Sequence, residues 1–267
     1  MRDFINKYEI WIFLVLAPLL NTVMTYAHSK GIIYGFVYTH GRFYALMLLL
    51  VIIVKYTKGT EGIKDLFRPM LKWKIHPKWF LFSLLFSLTI CAITLLLKSF
   101  YYDTEYASLL KFDFPPLKST VILMTWAFMG EVVWVSYAVR ELSKKMKPFY
   151  ASQIIGFFWT CWWAPSILIN IGVIYDLPLW SLLFNMLGAA GMCAVVYGKT
   201  KSGLCVWLLQ YMMNMSVLIL PVAPQVGGAE TYSTYAVLYF LAMLVFMYFM
   251  NPVKAFKTHN KPIEAAA

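Results

Sequence analysis

Charge is what this sequence lacks. Only 13% of its 267 residues are Asp, Glu, Lys or Arg, where a water-soluble domain carries about a quarter. Acidic residues are the scarcer sign, 12 against 23 basic ones. Histidine is nearly absent: His28 falls in a short loop, His76 and His259 beside or beyond apolar runs, and only His40 lies within one. That excludes the helix-borne histidine pair of a zinc peptidase and any serine–histidine arrangement inside an apolar segment. The four cysteines, Cys91, Cys161, Cys193 and Cys205, all fall inside apolar runs without metal-ligand spacing, so neither a disulfide framework nor a metal site is expected. Nor is there a glycine-rich phosphate loop, and no cofactor is implied.

What replaces charge is apolar length. Apolar residues make up 61% of the chain and the mean hydropathy is +0.68. They gather in eight runs near 8–27, 33–55, 78–98, 119–140, 149–171, 178–198, 203–222 and 232–250. Each approaches the roughly 20 residues a helix needs to cross a hydrocarbon core. Backbone amides in lipid must be satisfied within their own segment, so such runs are helices. The first run is too long for the apolar core of a leader peptide and is expected to remain as a span. The expectation is therefore an all-α polytopic membrane protein of about eight transmembrane helices, one membrane domain over 1–250, with a short polar cytoplasmic tail over 251–267.

The basic residues alternate between connections. Seven lie between the second and third runs, from Lys55 to Lys78, and four follow the fourth, Arg140, Lys144, Lys145 and Lys147. Eighteen of the 23 fall on one side in this way, four on the other, and Arg42 remains inside a run. The positive-inside rule places the eighteen, and both chain ends, in the cytoplasm. The net charge of +11 thus reads as topology and attraction to lipid headgroups. Membrane lipids are the expected partners and nucleic acid is not.

Two connections carry apolar character. Residues 57–77 interleave Ile63, Leu66, Phe67, Met70, Leu71, Trp73 and Ile75 with basic residues, a pattern that suits either a helix lying in the interface or an ordinary basic loop. Residues 99–118 carry Tyr101, Tyr102 and Tyr106, which read either as interface anchors or as a partner-binding patch. Within the runs, Glu131 and Arg42 are the two deeply placed ionisable side chains, and their run positions put them about one helical turn apart in depth. An ion pair between them would lower the cost of burying each. The alternatives are an arginine reaching outward beside His40 and a neutral Glu131. The amides Asn21, Asn170, Asn185, Gln210 and Asn214 complete the polar set and read as helix–helix contacts.

Three stretches in order carry a resemblance. Gly130-Glu131-Val132-Val133-Trp134-Val135-Ser136-Tyr137, then Trp159-Thr160-Cys161-Trp162-Trp163-Ala164-Pro165, then Thr200-Lys201-Ser202 with Gln210 and Asn214 resemble the motifs of the CAAX-protease and bacteriocin-processing family of intramembrane peptidases. The likeness covers about residues 75–220. It implies an eight-span bundle in the bacterial cytoplasmic membrane, and a site in which a first glutamate activates water beside two histidines and an asparagine. At those positions this chain has Gly130, Trp163, Gln210 and Asn214, and Val135 stands where the motif has arginine. Glu131 and Asn214 remain, and no catalytic set is intact. The resemblance therefore implies a catalytically degenerate relative acting as a scaffold or regulator for a protein or peptide partner, in surface display, cell-wall enzyme control or peptide immunity. The competing readings are an active peptidase with an atypical site centred on Glu131, and a transporter. Should the topology hold, alkaline phosphatase fused after Asp176 is active and the same reporter fused after Met250 is inactive; the reverse pattern overturns the orientation.

Overall fold

The computed structural model describes residues 2–171 and 176–250; the expected tail, 251–267, lies outside the described residues. Among the described residues there are eight long helices and no strand. They are α1 (Arg2–Ser29), α2 (Gly35–Phe67), α3 (Pro77–Tyr101), α4 (Leu117–Ser143), α5 (Pro148–Leu168), α6 (Leu179–Thr200), α7 (Gly203–Ile219) and α8 (Ala229–Met250). Seven of them are long and apolar enough to cross a membrane. The exception is α5, which has the length, at 21 residues, but carries three tryptophans and Pro165. The chain is thus an all-α polytopic membrane protein, with α5 filling the place of the expected fifth span.

Local chemistry sets the helix ends. Pro77 and Pro148 open α3 and α5, where a missing amide proton costs nothing. His76 caps α3 by accepting the Lys78 amide. Within 57–77, where either an interface helix or a basic loop is expected, helix continues as far as Phe67. At 33 residues α2 would extend about 50 Å, more than a bilayer core. Gly59, with φ of +66°, breaks it there and turns the last eight residues onto the basic face. A 3-10 turn, Arg68–Leu71, follows, and the chain then runs to His76 without regular structure, bending at Ile75. Asn170, expected within the fifth span, instead stands just past the end of α5 in the left-handed region, φ +53°.

Burial divides the helices into two classes. The most apolar windows of α4, α6 and α7 are 72%, 72% and 67% buried, whereas those of α1 and α8 are only 33% buried. The outward faces of the second class are themselves apolar, with Val15, Leu19 and Val23 exposed on α1 and Leu241, Val245 and Phe249 on α8. A helix apolar all round suits lipid on one side and protein on the other. In the interior, α4 touches α2, α5, α6 and α7, while α6 packs on α5 and α8, and α3 packs on α7.

Small residues allow that close packing, because without an aqueous driving force helices associate by tight contact and interhelical hydrogen bonds. A Cβ on Gly156 of α5 would stand 2.8 Å from the Leu187 backbone of α6, and one on Gly188 of α6 would stand 3.1 Å from the Phe240 backbone of α8. Polar bonds run along the same seams: Asn185 Nδ2 donates to Tyr232 Oη at 2.6 Å, and the Ser181 and Ser233 hydroxyls meet at 2.6 Å. Asn21 Nδ2 of α1 donates to the Trp162 carbonyl of α5. Gly156→Leu is expected to lower stability by about 1–3 kcal/mol through overpacking. Gly41→Ala, inside α2 and with its added methyl meeting nothing closer than 3.6 Å, should leave it unchanged or raise it by up to about 1 kcal/mol. Thermal unfolding in detergent distinguishes the two.

Candidate functional site

The segment bearing the glutamate is not an ordinary helix. Glu131–Val139 forms a nine-residue π-helix within α4, and all nine residues are buried. In an α-helix position i+5 lies about 140° round the axis from i, whereas the wider i→i+5 turn brings it back over the same side. Ser136 accordingly sits above Glu131 and its Oγ donates to Glu131 Oε1 at 2.6 Å. Glu131 is fully buried and its Oε2 has no hydrogen-bond partner. The carboxylate is directed to the start of α7: a Cβ on Gly203 would stand 3.1 Å from Oε1.

Arg42 is placed elsewhere, and the expected ion pair does not form. Among the described residues, the ion pairs involve neither Arg42 nor Glu131. The reason is depth. Glu131 lies fourteen residues beyond the first residue of α4, and Arg42 lies seven beyond that of α2. The difference corresponds to about 10 Å of rise, twice the offset expected from the apolar runs. Glu131 meets Gly203 at one end of the bundle; Arg42 meets Ser166, two residues from the opposite end of α5.

The guanidinium is instead held in an aromatic cage. Its Cζ lies 4.5 Å from the centroid of Trp163 and 5.2–5.3 Å from those of Tyr38, Phe43 and Trp162. Nη1 donates to Ser166 Oγ, which is 2.7 Å from Tyr38 Oη, itself 2.9 Å from Thr25 Oγ1. This chain of hydroxyls joins α1, α2 and α5. Desolvated cation–π contacts are worth about 2 kcal/mol or more, so the rings offset part of the cost of an arginine that is 1% exposed.

Between these two groups lies a small cavity of about 40 Å³. Gly130, Trp163, Gln210 and Asn214 all line it, although they come from α4, α5 and α7. These are the four positions that the motif resemblance singled out in the sequence. Its remaining wall is apolar or aromatic, including Phe43, Trp126, Trp134, Trp159 and Met186, and bears no ionisable side chain. Glu131, one residue from Gly130, is not part of the lining. Gly130 admits Gln210: a Cβ there would stand 2.8 Å from Gln210 Oε1. Asn214 Nδ2 is occupied by the Gln210 carbonyl of its own helix at 2.9 Å. At about 10–15 Å³ per water, the space holds a few waters and no peptide.

The third motif has a structural role. Thr200 Oγ1 accepts the Ser202 amide at 3.1 Å, and Ser202 Oγ caps α7 by accepting the Cys205 amide at 3.3 Å while donating to the Lys72 carbonyl. It fixes the turn that sets α7, and with it Gln210 and Asn214, in register.

A larger groove of about 510 Å³ reaches the cavity from the opposite face and shares Leu123 and Trp126 with it. Its mouth is formed by His40, Phe114, Pro115 and Ser119. The tyrosines of the adjoining loop separate. Tyr101 is exposed, and Tyr102 donates to Glu230 Oε2 at 2.8 Å. Tyr106 is not part of an outward patch with them: its hydroxyl turns back to the Ala92 carbonyl of α3, 3.2 Å away.

Sequence reasoning missed a partly buried polar cluster at the basic face. Tyr137 Oη donates to Glu9 Oε1 at 2.8 Å, and Lys58 Nζ bridges Glu9 at 3.0 Å and Glu141 at 3.2 Å. The pairs are 128 residues apart in the first case, so no local pattern announces them. Among the described residues no cluster of three or more His, Cys, Asp or Glu could hold a metal ion.

Because Arg42 and Glu131 occupy separate sites, Arg42→Gln and Glu131→Gln should add in unfolding free energy to within about 0.5 kcal/mol. Arg42→Gln and Ser166→Ala, which share a hydrogen bond, should not add. A large coupling between the first pair would restore the ion pair. No family model matches this chain, and no curated protein matches it at a significant level.

Proposed function

We propose that this chain is a catalytically degenerate relative of the CAAX-protease and bacteriocin-processing peptidases that binds a protein or peptide partner through the groove leading to its vacated cavity. The observation that carries this reading is the cavity itself. Four positions drawn from three distant stretches of sequence line one space, and that space bears no carboxylate and no imidazole. Peptide hydrolysis needs a base to activate water and donors to stabilise the developing oxyanion. The amides of Gln210 and Asn214 could serve the second need but cannot take up a proton. Trp163, standing where the family has histidine, spends its ring on Arg42 and on the cavity wall.

The groove has the size of a ligand pocket, which commonly runs about 300–1,000 Å³, and its mouth lies on the face opposite the basic loops. A partner that presents an apolar segment at that level would lie against Phe114 and Pro115 and reach toward Trp126. In this reading the basic loops and both ends lie in the cytoplasm of a bacterial cell. The groove then opens outward, where surface proteins, cell-wall enzymes and secreted peptides are met.

The competing reading, a peptidase centred on Glu131, draws on the π-helical turn, since such turns recur at functional sites, and on the unpartnered Oε2. Its carboxylate, however, has Ser136 and Gly203 against it and stands outside the cavity.

A photo-crosslinking residue at Ile122, in the groove, is expected to capture a discrete protein or peptide that the same residue at lipid-facing Leu241 does not. Ser119→Trp, narrowing the mouth, should abolish the product, and Glu131→Gln should leave it intact. If Glu131→Gln removes the cellular phenotype from a normally folded protein that keeps its partner, the peptidase reading prevails. A crosslink insensitive to Ser119→Trp would sink the groove.

A further inference from the structure

The basic face carries a second hollow, unrelated to the cavity and independent of the function proposed above. It measures about 760 Å³ and is lined by Asp65, Arg68, Lys72, Arg140, Tyr197 and Lys201 together with two apolar side chains. Four cations therefore face one carboxylate. That carboxylate is already engaged, because Arg140 Nη2 meets Asp65 Oδ2 at 2.7 Å while its Nη1 donates to the Asp65 carbonyl at 3.2 Å. Among the described residues Arg68 and Lys72 join no ion pair. Arg140, whose side chain is only 11% exposed, keeps a buried Nε with no partner.

The hollow is built rather than incidental. Ser202 Oγ ties its rim to α7 through the Lys72 carbonyl, and the Arg140–Asp65 pair ties the end of α2 to α4. Lys201, half-buried at the end of α6, holds φ at +56°, a position where glycine or asparagine is the usual choice. Strain of this kind persists where surrounding structure imposes it and gathers at functional sites. Burial, and after it the charge of Lys72, hold the Lys201 ammonium down at about 8. Collected like charges with a depleted supply of acid are stabilised by an anion from outside.

We propose that this hollow binds a phosphate-bearing anion, and that the phosphate is supplied by the headgroup of an anionic lipid in the adjoining leaflet. A multidentate phosphate suits a mixed set of arginine and lysine donors. The lipid source is argued from the same rim. Leu71 and Trp73 are 78% and 63% exposed on the segment that carries Lys72. Apolar side chains presented beside basic ones are the pattern of a chain lying at headgroup depth, and basic pockets between spans receive anionic headgroups there.

The test uses the delipidated full chain in mild detergent, titrated with dioctanoyl phosphatidylglycerol, dioctanoyl phosphatidylcholine or inorganic phosphate, with binding read by native mass spectrometry and thermal shift. Phosphatidylglycerol should bind and phosphatidylcholine should not. Lys72→Gln with Lys201→Gln should weaken binding about tenfold or more. Lys74→Gln with Lys145→Gln removes the same charge from the same face and should leave binding unchanged. Should the first pair unfold the lipid-free protein, Arg68→Gln at the exposed rim carries the same expected direction. Raising the pH from about 7 to about 9 should weaken binding as Lys201 loses its proton. The groups facing Lys201 are Asp65, Arg68, Lys72, Arg140 and Tyr197, so this arm is read against Lys201→Gln, which removes its contribution and leaves theirs. Equal affinity for the two lipids, or equal loss in the two double variants, overturns the site. Inorganic phosphate binding as tightly as phosphatidylglycerol overturns the lipid source.

Discussion

Nine consecutive residues of α4 have protein on every side, and the rest of the bundle is arranged around that fact. The stretch Glu131–Val139 has no lipid-facing residue, so α2, α5, α6 and α7 must all approach it. A segment enclosed in this way cannot vent a misplaced polar group to water. Its one carboxylate is therefore partnered from within, and the π-helical turn is the geometry that stacks Ser136 over Glu131. The same enclosure explains the glycine at 203, since a side chain there would run into Glu131 and Met70.

Glu131 and Arg42, the most deeply buried acid and base among the described residues, solve a common problem by different means. Glu131 accepts a hydroxyl five residues away on its own helix. Arg42 borrows a hydroxyl from α5 and covers its faces with four rings from two helices. Each charge is costly in a low-dielectric interior, yet pairing them would have required equal depth on adjacent faces. The cavity lies between, walled by Trp163 and Phe43 on the arginine side and by Gly130 on the glutamate side. Separation of the charges leaves a space between them whose lining bears no ionisable side chain.

Much of the fold was legible in the sequence because the membrane imposes a one-dimensional code. Apolar length alone marks α1–α4 and α6–α8, and Pro77 and Pro148 mark where α3 and α5 begin. The site was legible only as a set of positions. Gly130, Trp163, Gln210 and Asn214 could be named from their spacing within motifs, and they do line one space. Their neighbours Phe43 and Met186 carry no motif and look like any other apolar residue in a span. Tyr106 shows the converse error. In sequence it belongs with Tyr101 and Tyr102, but one helical turn, Tyr106–Leu109, is enough to rotate its hydroxyl back onto α3.

The sequence by itself determined class and span positions, because both depend on the transfer of single side chains between water and lipid. Tertiary structure alone decided who meets whom at depth. Apolar runs locate a residue along its own helix to within a turn or so, and they say nothing about the offset between helices or the turn type within one. For Arg42 and Glu131 that offset is the difference between an ion pair and two separate sites. For Arg68, Lys72, Arg140 and Lys201, scattered over 134 positions of the chain, it is what turns residues legible only as topology signals into one electropositive hollow.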